Sequence, residues 1–292
     1  MKLLDSISYF LPEKLWDAAA YGRLKEVPQI FLTAPSLKRI QNGKTMAHVA
    51  AMHGNFGQLP KGIQKQCLTW PDTGEQTVLF SAIAGGHLNT IPPAMLNISN
   101  LSLLNGKHEN CYHPLTVSCT LPKLSPELLS PAGLGTKSRY GVMPIFEAIN
   151  RKVINCIPAQ VLTAKYTETK GKETCLLELR NDQEDTIMHT LANLGRLSEL
   201  PVEVLQEQFL LQLNAKNTTP LQEAVFHNCW QNISPEILRR NYDHIMEIKT
   251  HKAYQPEPIM LPTWQKTMTK LTQQLQPYAP SLPPTPLDPF DL

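Results

Sequence analysis

The apolar residues of this chain fall into short blocks of helical period, separated by glycine and proline, and the blocks return at a nearly fixed spacing. In residues 42–63, NGKTMAHVAAMHGNFGQLPKGI, the small residues Ala47, Ala50 and Ala51 suit a helix that lies close to its neighbours, with Met46 and Val49 filling between them. Gly43 before this block suits a turn with positive φ and Gly54 after it a left-handed cap, so a helix is expected from about Thr45 to His53. Thr45, Ala47, His48, Ala50, Gly54, Phe56, Leu59 and Pro60 return as Thr77, Leu79, Phe80, Ala82, Gly86, Leu88, Ile91 and Pro92. The last pair can be followed along the chain as Val27-Pro28, Leu59-Pro60, Ile91-Pro92, Leu124-Ser125, Ile157-Pro158, Leu200-Pro201 and Ile233-Ser234, in steps of 32, 32, 33, 33, 43 and 33 residues. Each pair opens a second, short helix. Proline is tolerated there because the amide hydrogen it lacks would be unbonded in a first turn. Ser125-Pro126-Glu127 and Ser234-Pro235-Glu236 add a serine expected to cap that helix.

A period of about 33 residues with a T-P-L-H-x-A-like helix start is similar to the ankyrin repeat, a turn followed by two antiparallel helices. The resemblance covers residues 13–240 and implies an all-α solenoid of about seven helix-turn-helix repeats. On this reading residues 1–240 form the array, with a capping repeat in residues 1–32 whose departures from the pattern suit a terminal position. The 43-residue step marks an insertion of about ten residues within 163–185, where weak alternation around Lys170-Gly171 predicts a β-hairpin finger. In the fourth repeat His113-Pro114-Leu115-Thr116 reads as the helix start, which leaves too few residues before Leu124 and predicts a shortened first helix. Residues 241–276 form a capping region whose helix, 263–276, has Thr263 as N-cap and places Trp264, Met268, Leu271 and Leu275 on one face. Residues 277–292, with six prolines, form an extended tail.

Charge and composition narrow the function. The net charge of the 292 residues is +2, from 27 basic and 25 acidic side chains without long blocks of either sign, so nucleic acid and anionic membrane are unexpected partners. No apolar run is long enough to span a bilayer, and Asp5 and Pro12 interrupt any signal-peptide pattern, so a cytoplasmic protein is expected, with the cytoplasm of a host cell as one setting. Six cysteines spread through a chain with a real core read as reduced thiols.

No nucleotide-binding, hydrolase or metalloprotease motif occurs, and the resemblance supplies no catalytic residue, so no enzyme, cofactor or metal is expected. His48 and His189 invite acid-base roles, but both occupy the T-x-x-H position, whose ring in ankyrin repeats bonds neighbouring turn backbone. His108, Cys111, His113 and Cys119 form a denser group that could serve a metal-dependent protein or enzyme, yet H-x2-C-x-H-x5-C matches no established zinc spacing. The tail sequence around Asp288, Pro289 and Phe290 resembles short peptides that dock into adaptor domains, which makes a recruiting scaffold another reading.

The resemblance implies a noncatalytic module, a monomer, that binds another protein through turn tips and exposed first-helix faces lining a concave groove. Aligning the repeats places Gln41, Lys44, Met52, His53, Gln76, Tyr112, Tyr140, Asn150, Arg151, Glu184, Lys216 and His227 near that groove, with Tyr166, Lys170 and Lys172 on the finger. Degenerate units of the G-H-L-x-x-I-P-x-x-L-L kind resemble those of bacterial, phage and pathogen proteins, which suggests an effector or inhibitor acting on a host protein.

Overall fold

The computed structural model describes residues 12–168, 171–247 and 261–275. They form two compact units, Met1–Leu179 and Arg180–Leu292. In the first unit the helices α1 (Pro12–Ala20), α2 (Ala34–Lys38), α3 (Met46–Met52), α4 (Lys61–Cys67), α5 (Val78–Ala84), α6 (Ile98–Leu101), α7 (Tyr112–Val117), α8 (Pro131–Leu134), α9 (Pro144–Asn150) and α10 (Ala159–Thr163) follow in order. Two antiparallel ribbons interrupt them, β1 (Ile40–Gln41) with β2 (Lys44–Thr45), and β3 (Tyr166–Thr167) with β4 (Glu173–Thr174). In the second unit come α11 (Ile187–Asn193), α12 (Glu207–Leu210), α13 (Pro220–Phe226), α14 (Pro235–Arg240), α15 (Tyr242–Met246) and α16 (Leu261–Leu275).

Each repeat contributes one seven-residue or slightly different first helix, and these helices stack side by side. In the first unit α1 packs on α3, α3 on α5, α5 on α7 and α7 on α9; in the second α11 packs on α13 and α13 on α15. The alanines set how close they come. Ala47, Ala50, Ala51 and Ala82 are buried, and a Cβ built on Gly85 at the end of α5 would lie 2.2 Å from the Met52 carbonyl oxygen of the preceding repeat. Within each unit both halves of the repeats feed the core: Phe56, Leu59, Leu88, Ile91, Leu121 and Ile154 are buried in the first, and Leu197 and Ile233 in the second. The apolar-proline junction opens second helices throughout, although Ser125 makes no capping bond and Ser234 instead donates from Oγ to Glu236 Oε2 at 2.7 Å. Proline preorganises the turn there and a side-chain cap is not needed.

Four of the first helices open with threonine, whereas α9 opens at Met143 without a side-chain cap. Oγ1 of Thr45, Thr77, Thr186 and Thr219 accepts the backbone N–H three residues on, satisfying a donor that has no partner within the helix. The fourth repeat departs from the expected register. His113 occupies the histidine position of T-x-x-H and not the threonine position, and it stands eleven residues before Leu124, as His48 does before Leu59. Asn110 takes the threonine's place: its Oδ1 accepts from Tyr112 N at 3.1 Å and its Nδ2 donates to the Gly133 carbonyl at 2.8 Å. The helix Tyr112–Val117 is six residues long against seven in α3, α5 and α9, so the shortening amounts to one residue and comes with the histidine in its usual place.

The hairpin finger is present as β3 and β4, in the register Tyr166 with Thr174 and Thr167 with Glu173. Its base is clamped by Glu178, which accepts from Lys165 Nζ at 2.8 Å, from Thr174 Oγ1 at 3.2 Å and from Cys175 N at 3.2 Å. The last helix begins two residues before the predicted boundary, so Thr263 lies inside it, and it lays buried Met268 and Leu271 toward α13 and α14, against which it packs. Lys170 and the tail with Asp288, Pro289 and Phe290 lie outside the described residues.

Candidate functional site

Five of the turns that precede first helices are each built on one side-chain acceptor, while the turn before α3 is the β1–β2 ribbon. Asp72 Oδ1 accepts from Gly74 N and Gln76 N at 2.8 and 2.9 Å, and Asn105 Oδ1 from Lys107 N and Glu109 N at 2.8 and 2.9 Å. Ser138, Asn181 and Asn214 repeat the arrangement. A carboxylate, amide or hydroxyl thus closes each of these five turns, as short polar side chains do elsewhere. Within it one residue adopts the left-handed conformation: Glu75, His108, Gly141, Glu184 and Asn217, with φ between 56° and 81°. A second left-handed ladder marks the ends of the first helices, at Gly22, Gly54, Gly86, Cys119, Lys152, Gly195 and Asn228.

The repeat geometry accounts for His108, Cys111, His113 and Cys119. His108 is a turn tip and Cys119 a helix terminus, both exposed, while Cys111 is buried and its thiol is pushed up to about 12. Among the described residues no three His, Cys, Asp or Glu side chains stand close enough to share a metal ion.

His113 belongs to a third ladder. His48 Nε2 lies 2.8 Å from the Gln76 carbonyl, His113 Nε2 3.3 Å from the Val142 carbonyl and His189 Nε2 3.0 Å from the Thr218 carbonyl. In His113 and His189 the other ring nitrogen accepts a backbone N–H, from Asn110 at 3.1 Å and Thr186 at 3.2 Å, so Nε2 carries the proton and the ring is neutral. Burial pushes all three below the usual imidazole range. Each ring therefore ties one helix to the backbone entering the next repeat. Phe80 and Phe146 replace the bond by packing, and Gln222 retains it, donating from Nε2 to the His244 carbonyl at 3.1 Å.

These are ankyrin repeats. Threonine-capped first helices, imidazoles bonded to the following turn and a repeat of about 33 residues define the architecture. No family model matches the chain, and no curated protein matches it. Among solved structures the chain is similar to the ankyrin repeat domain of Bcl-3, at 15% identity over 72% of this chain and 92% of that one, with a TM-score of 0.46. An ankyrin repeat protein from Leishmania major shares 12% identity over 91% and 97% of the two chains, with a TM-score of 0.46. A chain from the complex of the predatory endopeptidase Bd0816 from Bdellovibrio bacteriovorus with immunity protein Bd3460 shares 16% identity over 77% and 96%, with a TM-score of 0.34. The assignment rests on the bonds described above and not on these likenesses. No described helix is long and apolar enough to cross a membrane.

In the first unit neighbouring ankyrin turns are joined through their backbones. Thr73 N donates to the Gly43 carbonyl, Gly106 N to that of Gly74 and Arg139 N to that of Lys107, each at 2.9 Å. This row carries Gln41 and Tyr140, both exposed, the latter at 69%, and half-buried Lys44 and Gln76. Lys44 is neutralised by Asp72 of the next turn at 3.2 Å, and the Gln76 carbonyl holds His48. At the ends of the first helices lie half-buried Met52 and exposed His53, Asn150 and Arg151; Arg151 pairs with Glu147 at 2.7 Å and Asn150 bonds the same carboxylate.

Two sequence-derived site residues are corrected. Tyr112 is fully buried: its hydroxyl donates to the Leu128 carbonyl and accepts from Ser130 N, and its ring lies where a side chain on Gly133 would be. Register explains the error, because Tyr112 precedes the histidine position and so points into the stack. Tyr166 turns inward from the hairpin, with its hydroxyl against Gly135, while Lys172 is exposed. In the second unit Glu184 and Lys216 are exposed turn residues, and His227 is half-buried, edge-on to Phe226. Lys107 and Arg139, exposed on the joined row, escaped the sequence reading because nothing in a single repeat distinguishes a paired cation from a free one.

Proposed function

We propose that this chain is a noncatalytic, monomeric module that binds another protein through its ankyrin turn row and the adjoining first-helix ends. The observation that carries the reading is the joined row of turns in the first unit, fixed by backbone bonds and bearing Ile40 at 52%, Tyr140 at 69% and Val142 at 45% exposure. Large apolar side chains on a preorganised edge lose little freedom on binding, and tyrosine is a frequent interface anchor. The near-balanced net charge of +2 favours protein over nucleic acid. An effector or inhibitor acting on a host protein is the finer form of the same proposal.

The test is affinity capture with the full chain, its mass checked by light scattering, against Tyr140→Ala and Tyr140→Ala/Arg151→Ala. Partners lost with the substitutions support the reading; recovery of every partner by both variants overturns it.

A further inference from the structure

The turns of the fourth and fifth repeats, the last two of the joined row, differ from the turn at Asp72 and Glu75 in charge. Residues 105–109 and 138–142 hold Lys107 and Arg139, with Glu109 as the only carboxylate and His108 at the tip between them. Glu109 accepts from Asn105 Nδ2 at 3.0 Å and, among the described residues, forms no ion pair with Lys107 or Arg139. Several bases near other turns and helix ends are neutralised, Lys44 by Asp72, Arg151 by Glu147, Arg196 by Glu199 and Arg240 by Glu207. Lys152 has beside it only Arg151, already paired, and Lys216 stands as a single cation in a turn without a second base or an exposed ring. Among the described residues, Lys107 and Arg139 have no carboxylate within ion-pair distance.

The two turns are one rigid piece. Arg139 N donates to the Lys107 carbonyl at 2.9 Å, and His113 anchors the far end of the fifth turn through the Val142 carbonyl at 3.3 Å. Lys107 Nζ stands 6.0 Å from the centre of the Tyr140 ring, so a cation and an exposed aromatic face share one spot, with Val142 beside them.

We infer that this tip cluster of Lys107, Arg139, Tyr140 and Val142 receives an acidic peptide segment that carries an apolar side chain. Carboxylates would pair with the two cations, and the apolar group would cover Tyr140 and Val142. Free cations beside an exposed ring are complementary to that chemistry, and their exposure makes the attraction sensitive to salt. The inference rests on the binding-module reading and names the chemistry of its partner.

The test is selection of a random 12-residue peptide display library on the immobilised full chain, followed by fluorescence titration of enriched peptides against wild type, Lys107→Glu/Arg139→Glu and Tyr140→Ala. Circular dichroism confirms that the variants fold. The expected result is enrichment of sequences with excess Asp and Glu around an apolar residue, at least tenfold weaker binding to each variant, and weakening by added salt. Enriched peptides without acidic excess, or bound equally by the charge-reversed chain, overturn the inference while leaving the binding-module reading standing. No enrichment at all, or a 20-mer single-stranded oligonucleotide binding more tightly than any selected peptide, also overturns it.

Discussion

The histidine ladder makes stability depend on pH in a direction fixed by the structure. The His189 ring is fully buried and neutral, and burial lowers its affinity for a proton, whereas in the unfolded chain it titrates near 6.5. As pH falls below 6.5 the unfolded chain takes up a proton that the native ring refuses. The stabilisation is therefore whole above the unfolded value and is lost on acidification toward the lower native one. One pH unit below 6.5 the loss has a ceiling of about 1.4 kcal/mol per ring, reached if the native ring stays wholly neutral, and so about 4 kcal/mol for His48, His113 and His189 together. The informative substitution is His189→Gln, because Gln222 already fills the same position, accepting from Thr219 N at 3.1 Å and donating to the His244 carbonyl. The variant should keep most of its stability at about pH 7.5 and lose up to about 1.4 kcal/mol less than wild type on going to about pH 5.5. Urea titrations followed by circular dichroism at the two pH values measure the difference. Equal losses in variant and wild type, or a wild type that gains stability on acidification, would refute the neutral, carbonyl-bonded ring.

Three further outcomes follow from the packing. Tyr112→Phe removes the hydroxyl bonded to Leu128 and Ser130 and should cost about 1–3 kcal/mol in urea unfolding, although no surface contact changes. Gly85→Ala forces a Cβ to within 2.2 Å of the Met52 carbonyl, a backbone atom that cannot rotate away, and should cost about 1–3 kcal/mol, seen as a lowered melting temperature. Native-state alkylation with peptide mapping should modify exposed Cys119 first, while buried Cys67 and Cys111, whose thiols are pushed up to about 12, stay unmodified until the chain unfolds.

The repeat architecture could be read from the chain because each unit buries the same faces and so reuses the same residue types at the same offsets. Thr45, Thr77, Thr186 and Thr219 announce their helices directly. Asn110 does the same task with an amide, and that substitution was enough to displace the register of the fourth repeat and carry Tyr112 from core to surface. The turn acceptors Asp72, Asn105, Ser138, Asn181 and Asn214 also stand one repeat apart, but three side-chain chemistries share the role and no single letter marks it. The binding surface was less legible for a different reason. Whether a lysine is free depends on a carboxylate in the next turn, 28 residues away for Lys44 and Asp72, and that relation exists only in the stacked structure.

The histidine ladder has one more consequence. Each imidazole grips a carbonyl, a group that every amino acid possesses, so the repeat that receives the bond need not carry any particular side chain to be joined. A repeat behaves as a cassette with a specific plug and a universal socket. Excision or duplication of one whole period leaves matching ends, whereas a cut of any other length does not. Arrays built this way can lengthen or shorten by recombination while their outward turns diverge freely.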